Sequence, residues 1–230
     1  MIGAPSKMPS DAREEILNRL WSAPRQGVPA RAALPPLPDL SFSREQMIDK
    51  FTSDLTALSG TVHRVRSRPE ALDRLTEVAR QEDLTSVVVS SDPLIASLDL
   101  ADWGRRNGIR VFSAADYGDR DSFRRAVFDE AQAGITGADY ALSESGTLVL
   151  AHRRDQARLI SLAPILHIAL VPVASFRPVY ESVTREVFEG REAIPSQLTF
   201  ITGPSLTGDI RGIPFRGMHG PRRVIAILIG

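Results

Sequence analysis

Carboxylates, hydroxyls and glycines gather most densely between Gly134 and Leu150, in the run GITGADYALSESGTLVL. Asp139 and Glu144 are the acids of this run. A carboxylate held near a reacting centre serves as a general acid or base, or attacks an acyl group directly. Glu144 precedes the turn residues Ser145, Gly146 and Thr147, and an apolar strand from Leu148 to Leu150 follows. That order places Glu144 at a strand edge beside backbone N–H groups able to support an oxyanion. Thr136 adds a hydroxyl, and Gly134, Gly137 and Gly146 suit positions where the backbone turns at positive φ or meets a ligand closely. The run reads as too polar for a core strand and too ordered for a linker. A β-turn with capping side chains uses the same residues without any ligand.

Two further glycine-rich segments, 202–212 and 216–223, flank expected strands. The first reads TGPSLTGDIRG, with Gly203, Ser205, Thr207 and Asp209 as candidate ligand contacts and Asp209 as a second candidate catalytic acid. Gly203 and Gly208 have the spacing of a phosphate-binding loop, but Asp209-Ile210 occupy the places of its Lys and Ser/Thr, so nucleoside triphosphate hydrolysis is rejected. No GxGxxG opens a helix. The second segment holds His219, Gly220 and Arg222. Arg211, Arg216, Arg222 and Arg223 follow Asp209 with no further acid, a local positive charge suited to a carboxylate, phosphate or CoA; solvated surface arginines give the same pattern. His167, inside ILHIALV, reads as a core residue and His219, between glycines, as the functional candidate. His63 and His152 carry no context. Asp139, Glu144, Asp209 and His219 lack any diagnostic metal spacing, so no metal is expected.

The elements that must position these residues alternate between helix and strand. Ser10 caps a short helix carrying Ile16, Leu17, Leu20 and Trp21 on one stripe, and Pro24, Pro29, Pro35, Pro36 and Pro38 make residues 23–41 an extended arm. Ser43 to Gln46 has capping-box form, with Met47, Phe51, Leu55 and Leu58 behind it at helical spacing. Thr61–Val65 reads as a strand and Pro69 opens the next helix. SVVVSSD, residues 86–92, is a β-branched run of the kind buried on both faces of a parallel sheet. A single helix is expected from Pro93 to Asn107-Gly108, a strand at Ile109–Phe112 and a helix over Asp121–Ala133. Further strands are expected at Thr147–Ala151, His167–Val171, Leu198–Ile201 and Val224–Ile229, with a helix from Pro178 to Glu189. This is an α/β pattern: an open, largely parallel sheet covered by helices. The division expected is an arm over residues 1–41 and an α/β domain over 42–230.

Length 230 leaves ample chain for a core, and Lys plus Arg balances Asp plus Glu at 28 each, so no global field favours nucleic acid or an anionic membrane. The chain has no cysteine, which excludes thiolate catalysis, disulfides and cysteine-ligated iron–sulfur clusters of its own. The first residues lack the apolar core of a signal peptide and no apolar run reaches membrane-spanning length; a cytoplasmic location is expected.

ITGADYALSESGTLVL, SLAPILHIALV, ITGPSLTGDI and GMHGP, in that order, resemble the successive signatures of the LUD-domain family, most nearly its LutC branch. The match falls on Thr136, Gly137, Asp139, Glu144, Gly146, Thr147, Gly203, Ser205, Thr207, Asp209, His219 and Gly220. The resemblance implies a fold like that of ribose-phosphate isomerases, glucosamine-phosphate deaminases and CoA transferases. It further implies a part in oxidising L-lactate to pyruvate together with two partner subunits that carry iron–sulfur clusters, the chain itself holding no cofactor. Leu206, Gly208 and Arg211 depart from the family's usual residues in the presumed ligand loop.

Three functions remain in view. One is a subunit of a lactate-oxidising complex that binds an organic acid. The second is a self-sufficient CoA transferase or isomerase with Glu144 as nucleophile or base, since SESG resembles the SENG motif of CoA transferases. The third is an anion-binding adaptor. The N-terminal helix and arm suit docking on a partner, and a homo-oligomer is compatible with all three.

Overall fold

The computed structural model describes residues 10–23, 41–152, 157–189, 194–208 and 214–230. The proline-rich arm and the candidates Asp209 and Arg211 lie outside the described residues. The chain divides into two compact units, Met1–Pro38 and Asp39–Gly230. In the first, helix α1 (Ser10–Ser22) carries the apolar stripe expected of it, with Ile16, Leu20 and Trp21 exposed.

The second unit is built on six parallel strands: β1 (Thr61–Val65), β2 (Ser86–Val89), β3 (Arg110–Phe112), β4 (Ala133–Gly137), β7 (Leu166–Pro172) and β12 (Arg223–Ile229). Their order in the sheet is β1-β12-β7-β4-β2-β3. A second sheet holds β8 (Phe176–Arg177), β5 (Tyr140–Leu142), β6 (Thr147–His152) and β9 (Gln197–Ile201), in that spatial order. The hairpin β10 (Leu206–Gly208) to β11 (Pro214–Arg216) stands apart from both. In this second sheet β5–β6 and β6–β9 pair antiparallel and β5–β8 parallel, so the wholly parallel arrangement that the uninterrupted apolar strands imply belongs to the main sheet.

Both faces of the main sheet are covered, which is why β2, β7 and β12 read as continuous apolar runs. One face sends Val87, Val89, Ile135, Ile168, Leu170, Ile225 and Ile227 into a core shared with α3 (Arg68–Gln81) and α5 (Leu100–Asn107). On the opposite face two apolar clusters form. Val88 and Phe112 meet Phe123 and Val127 of α6 (Arg120–Glu130), together with Ile160. Ala169, Val171, Val224, Ala226 and Leu228 meet Ile48, Phe51 and Leu55 of α2 (Arg44–Ala57) and the second sheet. Phe51 and Leu55 are wholly buried, each worth about 1.5–3 kcal/mol. The capping box that starts α2 forms as the sequence requires, Ser43 accepting from the Gln46 N–H. Between the two clusters runs a polar seam made by Gly134 and Thr136 on β4 and His167 on β7, Gly134 and His167 being register partners.

Three expectations need correction. Residues 133–137 were expected as helix end and ligand loop; they form β4, buried at the centre of the sheet between β2 and β7. Glycine and threonine fit there because the 3-10 turn Arg158–Ser161 packs directly on the strand, its Ile160 carbonyl lying 1.8 Å from where a Gly134 Cβ would stand. The single helix expected over 93–107 is two, α4 (Pro93–Ala96) and α5, broken where Asp99 takes a left-handed φ of 44° and caps α5. Strand β9 belongs to the second sheet and not to the main one. The helix expected over 178–189 is α7 (Tyr180–Phe188). Among the described residues no helix is long and apolar enough to cross a membrane.

Candidate functional site

The strand order decides where a ligand can sit. From β2 the chain crosses outward to β3 at the sheet edge, then returns to β4 on the other side of β2. Connections thus leave β2 and β4 in opposite directions, and a crevice opens outside their carboxyl ends. A small cavity of about 20 Å³ lies there, lined by Ser90, Asp92, Thr136, Gly137, Asp139, Leu150, Ala151, His152, Ala157 and Ser161. It seats one water-sized group. His152 and Ala157 also wall a neighbouring cleft of about 920 Å³, whose charged lining is Asp119, Arg120, Arg124 and Arg158.

Asp92 holds the cavity together. It is 7% exposed, and as N-cap of α4 its Oδ1 accepts from the Leu94 and Ile95 N–H groups at 3.0 and 3.1 Å. Its Oδ2 accepts from the Ser90 hydroxyl at 2.5 Å and from the Gly137 N–H at 2.9 Å. Four donors disperse the charge of one carboxylate and lock the end of β2 to the end of β4. A Cβ on Gly137 would lie 2.4 Å from Asp92 Oδ1, so this glycine is required for close approach. Asp139 accepts the Ala151 N–H on Oδ2 at 2.8 Å, tying the β4–β5 link to β6. His152 ends β6, buried, with Nε2 2.7 Å from the Thr199 hydroxyl. Thr136 Oγ1 lies 2.9 Å from His167 Nε2. His167 is fully buried, and that burial pushes its pKa down from 6.5 to about 4, leaving a neutral ring.

The cleft has the opposite electrostatic character. Asp119 caps α6 through the Asp121 and Ser122 N–H groups, and its hydrogen bonds to Ser122 hold its carboxyl below the usual range. Arg124 pairs with Asp121 at 3.3 Å. Arg120 and Arg158 carry no ion pair among the described residues, so two guanidinium groups face the cleft available to an anion.

The candidates read from the sequence separate into three places. Thr136, Gly137 and Asp139 meet in the cavity. Glu144, Ser145 and Gly146 form the turn between β5 and β6, with Glu144 exposed, and Thr147, buried, begins β6. There Glu144 Oε1 accepts the Tyr180 N–H at 2.6 Å and so caps α7, whose own N-cap residue Val179 supplies no side-chain bond. Ser145, Thr147 and Thr202 link hydroxyl to hydroxyl at 2.8 and 2.9 Å. Gly146 has φ 61°, and its Cβ position lies 2.4 Å from the Leu55 nitrogen at the end of α2, a packing requirement. Gly203, Ser205, Thr207, His219, Gly220 and Arg222 belong to the C-terminal loops around the β10–β11 hairpin. Ser205 donates its N–H to the Pro221 carbonyl at 2.8 Å, and Gly220 packs on the Ser205 side chain. His219 and Arg222 are exposed, while Arg223 pairs with Glu82. Neither of the last two groups lines the cavity. Among the described residues no three His, Asp or Glu side chains gather to hold a metal ion.

Ser90, Asp92, His152 and Ser161 were not singled out from the sequence. Asp92 carried a usable signal: an acid followed by Pro93, at the carboxyl end of a wholly apolar strand, marks both a helix cap and the ligand edge of a parallel sheet. His152 and Ser161 carried none, because the chain brings them in from β6 and the 3-10 turn.

Residues 48–229 match the family model of the LUD domain. Lactate utilization protein C of Anoxybacillus flavithermus is 29% identical over 225 residues, 97% of this chain and 94% of that protein. The protein of the same name from Bacillus subtilis is 32% identical over 166 residues, 68% of each chain. Among solved structures, a DUF162 family protein from Deinococcus radiodurans superposes with a TM-score of 0.55 at 23% identity, covering 82% of this chain and 99% of that one. That likeness shows the shared fold.

Proposed function

The chain belongs to the LUD-domain family, in its lactate utilization protein C branch, and on that premise we propose that it is the organic-acid-binding subunit of an L-lactate-oxidising system. The observation that carries this reading is the similarity to proteins named for lactate utilization along nearly the whole chain. Oxidising lactate to pyruvate removes two electrons and two protons. A chain without cysteine holds no cysteine-ligated cluster, so iron–sulfur centres on partner subunits would take the electrons. The part left to this chain is to bind and orient the acid. Arg120 and Arg158 supply cationic forks for a carboxylate, and the cavity supplies the Thr136 hydroxyl for an uncharged oxygen of the acid.

The reading of Glu144 as nucleophile gains no support from its position, since its carboxylate caps α7 outside the cavity.

Two measurements test the proposal. L-lactate-dependent dye reduction is expected only when the purified chain is mixed with the subunits that co-purify with it; turnover by the chain alone overturns the division of labour. Calorimetric titration with L-lactate and pyruvate is expected to show binding that weakens about tenfold in the Arg120→Ala/Arg158→Ala double variant, the scale of a lost charge-assisted contact. Unchanged affinity in that variant removes the cleft from the site.

A further inference from the structure

Among the oxygen-bearing side chains of the cavity, the two carboxylates act as acceptors and the two serines already commit their hydroxyl hydrogens within the protein. Asp92 receives four donors, Asp139 receives the Ala151 N–H, Ser90 donates to Asp92, and Ser161 donates to the Arg158 carbonyl at 3.1 Å. Thr136 differs. The residue is 6% exposed and lines the cavity, and among the described residues its hydroxyl has one partner, His167 Nε2 at 2.9 Å.

Which atom carries the proton of that bond follows from the other end of the ring. Among the described residues His167 Nδ1 is buried with no hydrogen-bond partner, and the register neighbours of His167, Gly134 and Val224, bring no polar side-chain atom to it. A neutral imidazole has one N–H and one bare nitrogen. Placing the hydrogen on Nδ1 would bury an orphan N–H donor, the rarer and costlier defect; placing it on Nε2 leaves only a bare acceptor unpaired. Nε2 therefore donates to Thr136 Oγ1. The hydroxyl hydrogen of Thr136 cannot then point back at the ring.

We infer that His167 is a positioning residue: by donating its Nε2–H to Thr136 Oγ1 it turns the Thr136 hydroxyl hydrogen into the cavity, where it donates to an uncharged oxygen of the ligand. The cavity favours an uncharged oxygen over a carboxylate because Asp92 and Asp139 line it. For a 2-hydroxy or 2-oxo acid that oxygen is the one on C2, and its carboxylate is left to the arginines of the cleft. The identity of the ligand rests on the function proposed above; the proton assignment does not.

The test has one readout for each. Long-range 1H–15N correlation on the full chain reports the tautomer of His167, whose signals are assigned by their absence from the spectrum of His167→Gln. The Nε2–H tautomer is expected, and the Nδ1–H tautomer or a charged ring overturns the inference. Calorimetry with pyruvate then compares Thr136→Ser, which keeps the hydroxyl, with Thr136→Val, which keeps the shape. Binding within about threefold of the parent is expected for the serine variant and about tenfold weaker binding for the valine variant. Equal binding by both overturns the ligand contact, and thermal unfolding of each confirms that it is folded. His167→Gln, whose amide N–H can reach Thr136, is expected to retain more affinity than His167→Leu. A parent protein that binds no pyruvate while showing the Nε2–H tautomer upholds the proton assignment and overturns the reading of the cavity as an organic-acid site.

Discussion

Replacing Gly134 by alanine puts a methyl group where the protein has placed a carbonyl. The added Cβ would stand 1.8 Å from the Ile160 oxygen, and contacts under 3.0 Å essentially never occur. The 3-10 turn must therefore retreat by at least 3.0 − 1.8 = 1.2 Å, since β4 is pinned on both sides by β2 and β7. The turn carries Ile160, 1% exposed, in the cluster with Val88, Phe112, Phe123 and Val127. Overpacking of this kind costs about 1–3 kcal/mol, against a gain of about 0.4–1 kcal/mol from the stiffer unfolded chain. A net loss of about 1 kcal/mol lowers Tm by about 2–4 °C in a domain of this size. Urea unfolding followed by circular dichroism measures it, with Gly208→Ala as control, where an added Cβ meets nothing within 4 Å. The control is expected within about 0.5 kcal/mol of the parent. Ser161 and Ala157 flank the same turn and line the cavity, so pyruvate binding is expected to weaken along with stability. A Gly134→Ala protein as stable as the control refutes the packing argument and restores this glycine to the role of a ligand-loop residue.

Glu144→Gln weakens the cap on α7 and is expected to lower stability by about 0.5–1 kcal/mol while leaving pyruvate affinity unchanged; an affinity that collapses with intact stability would give Glu144 a direct part at the ligand. Asp92→Asn leaves one acceptor oxygen where two receive four donors, and the expected loss in a urea titration is about 2–4 kcal/mol; a loss below 1 kcal/mol contradicts its role as the tie between β2 and β4. His167 stays neutral when folded down to about pH 4, whereas its ordinary value is 6.5. The unfolded chain thus binds the extra proton between those values, and stability, complete above pH 6.5, falls as the pH drops through that window, by roughly 3 kcal/mol. Unfolding free energies of the parent are expected to show this slope and those of His167→Gln to lack its share; parallel curves for the two refute the assignment.

Local chemistry made much of the fold readable. Ser43 and Gln46 announce the start of α2, Pro69 that of α3, and Gly108 at φ 68° ends α5. The apolar runs of β2, β7 and β12 mark buried parallel strands because both faces of that sheet are covered. Beta4 was hidden by the same reasoning: its Gly134, Thr136 and Gly137 look like a loop, yet their small size is what lets the 3-10 turn and Asp92 press against a central strand. The break at Asp99 was hidden because a left-handed aspartate leaves no periodicity to read.

For the site, residue types alone identified an α/β framework without thiols, three candidates that line the cavity (Thr136, Gly137 and Asp139), and the family signatures. They could not say which polar groups meet. Gly137 reaches Asp92 across 45 residues, Thr136 reaches His167 across 31, and Glu144 reaches Tyr180 across 36, where it caps a helix. Hydrophobic periodicity records which face of an element is buried, a local property written every two or three to four residues. Strand order is a global choice. Only the return of the chain from β3 to β4 opens the crevice at the ends of β2 and β4, and only packing turned Thr136 toward a neutral histidine and Glu144 toward a helix end.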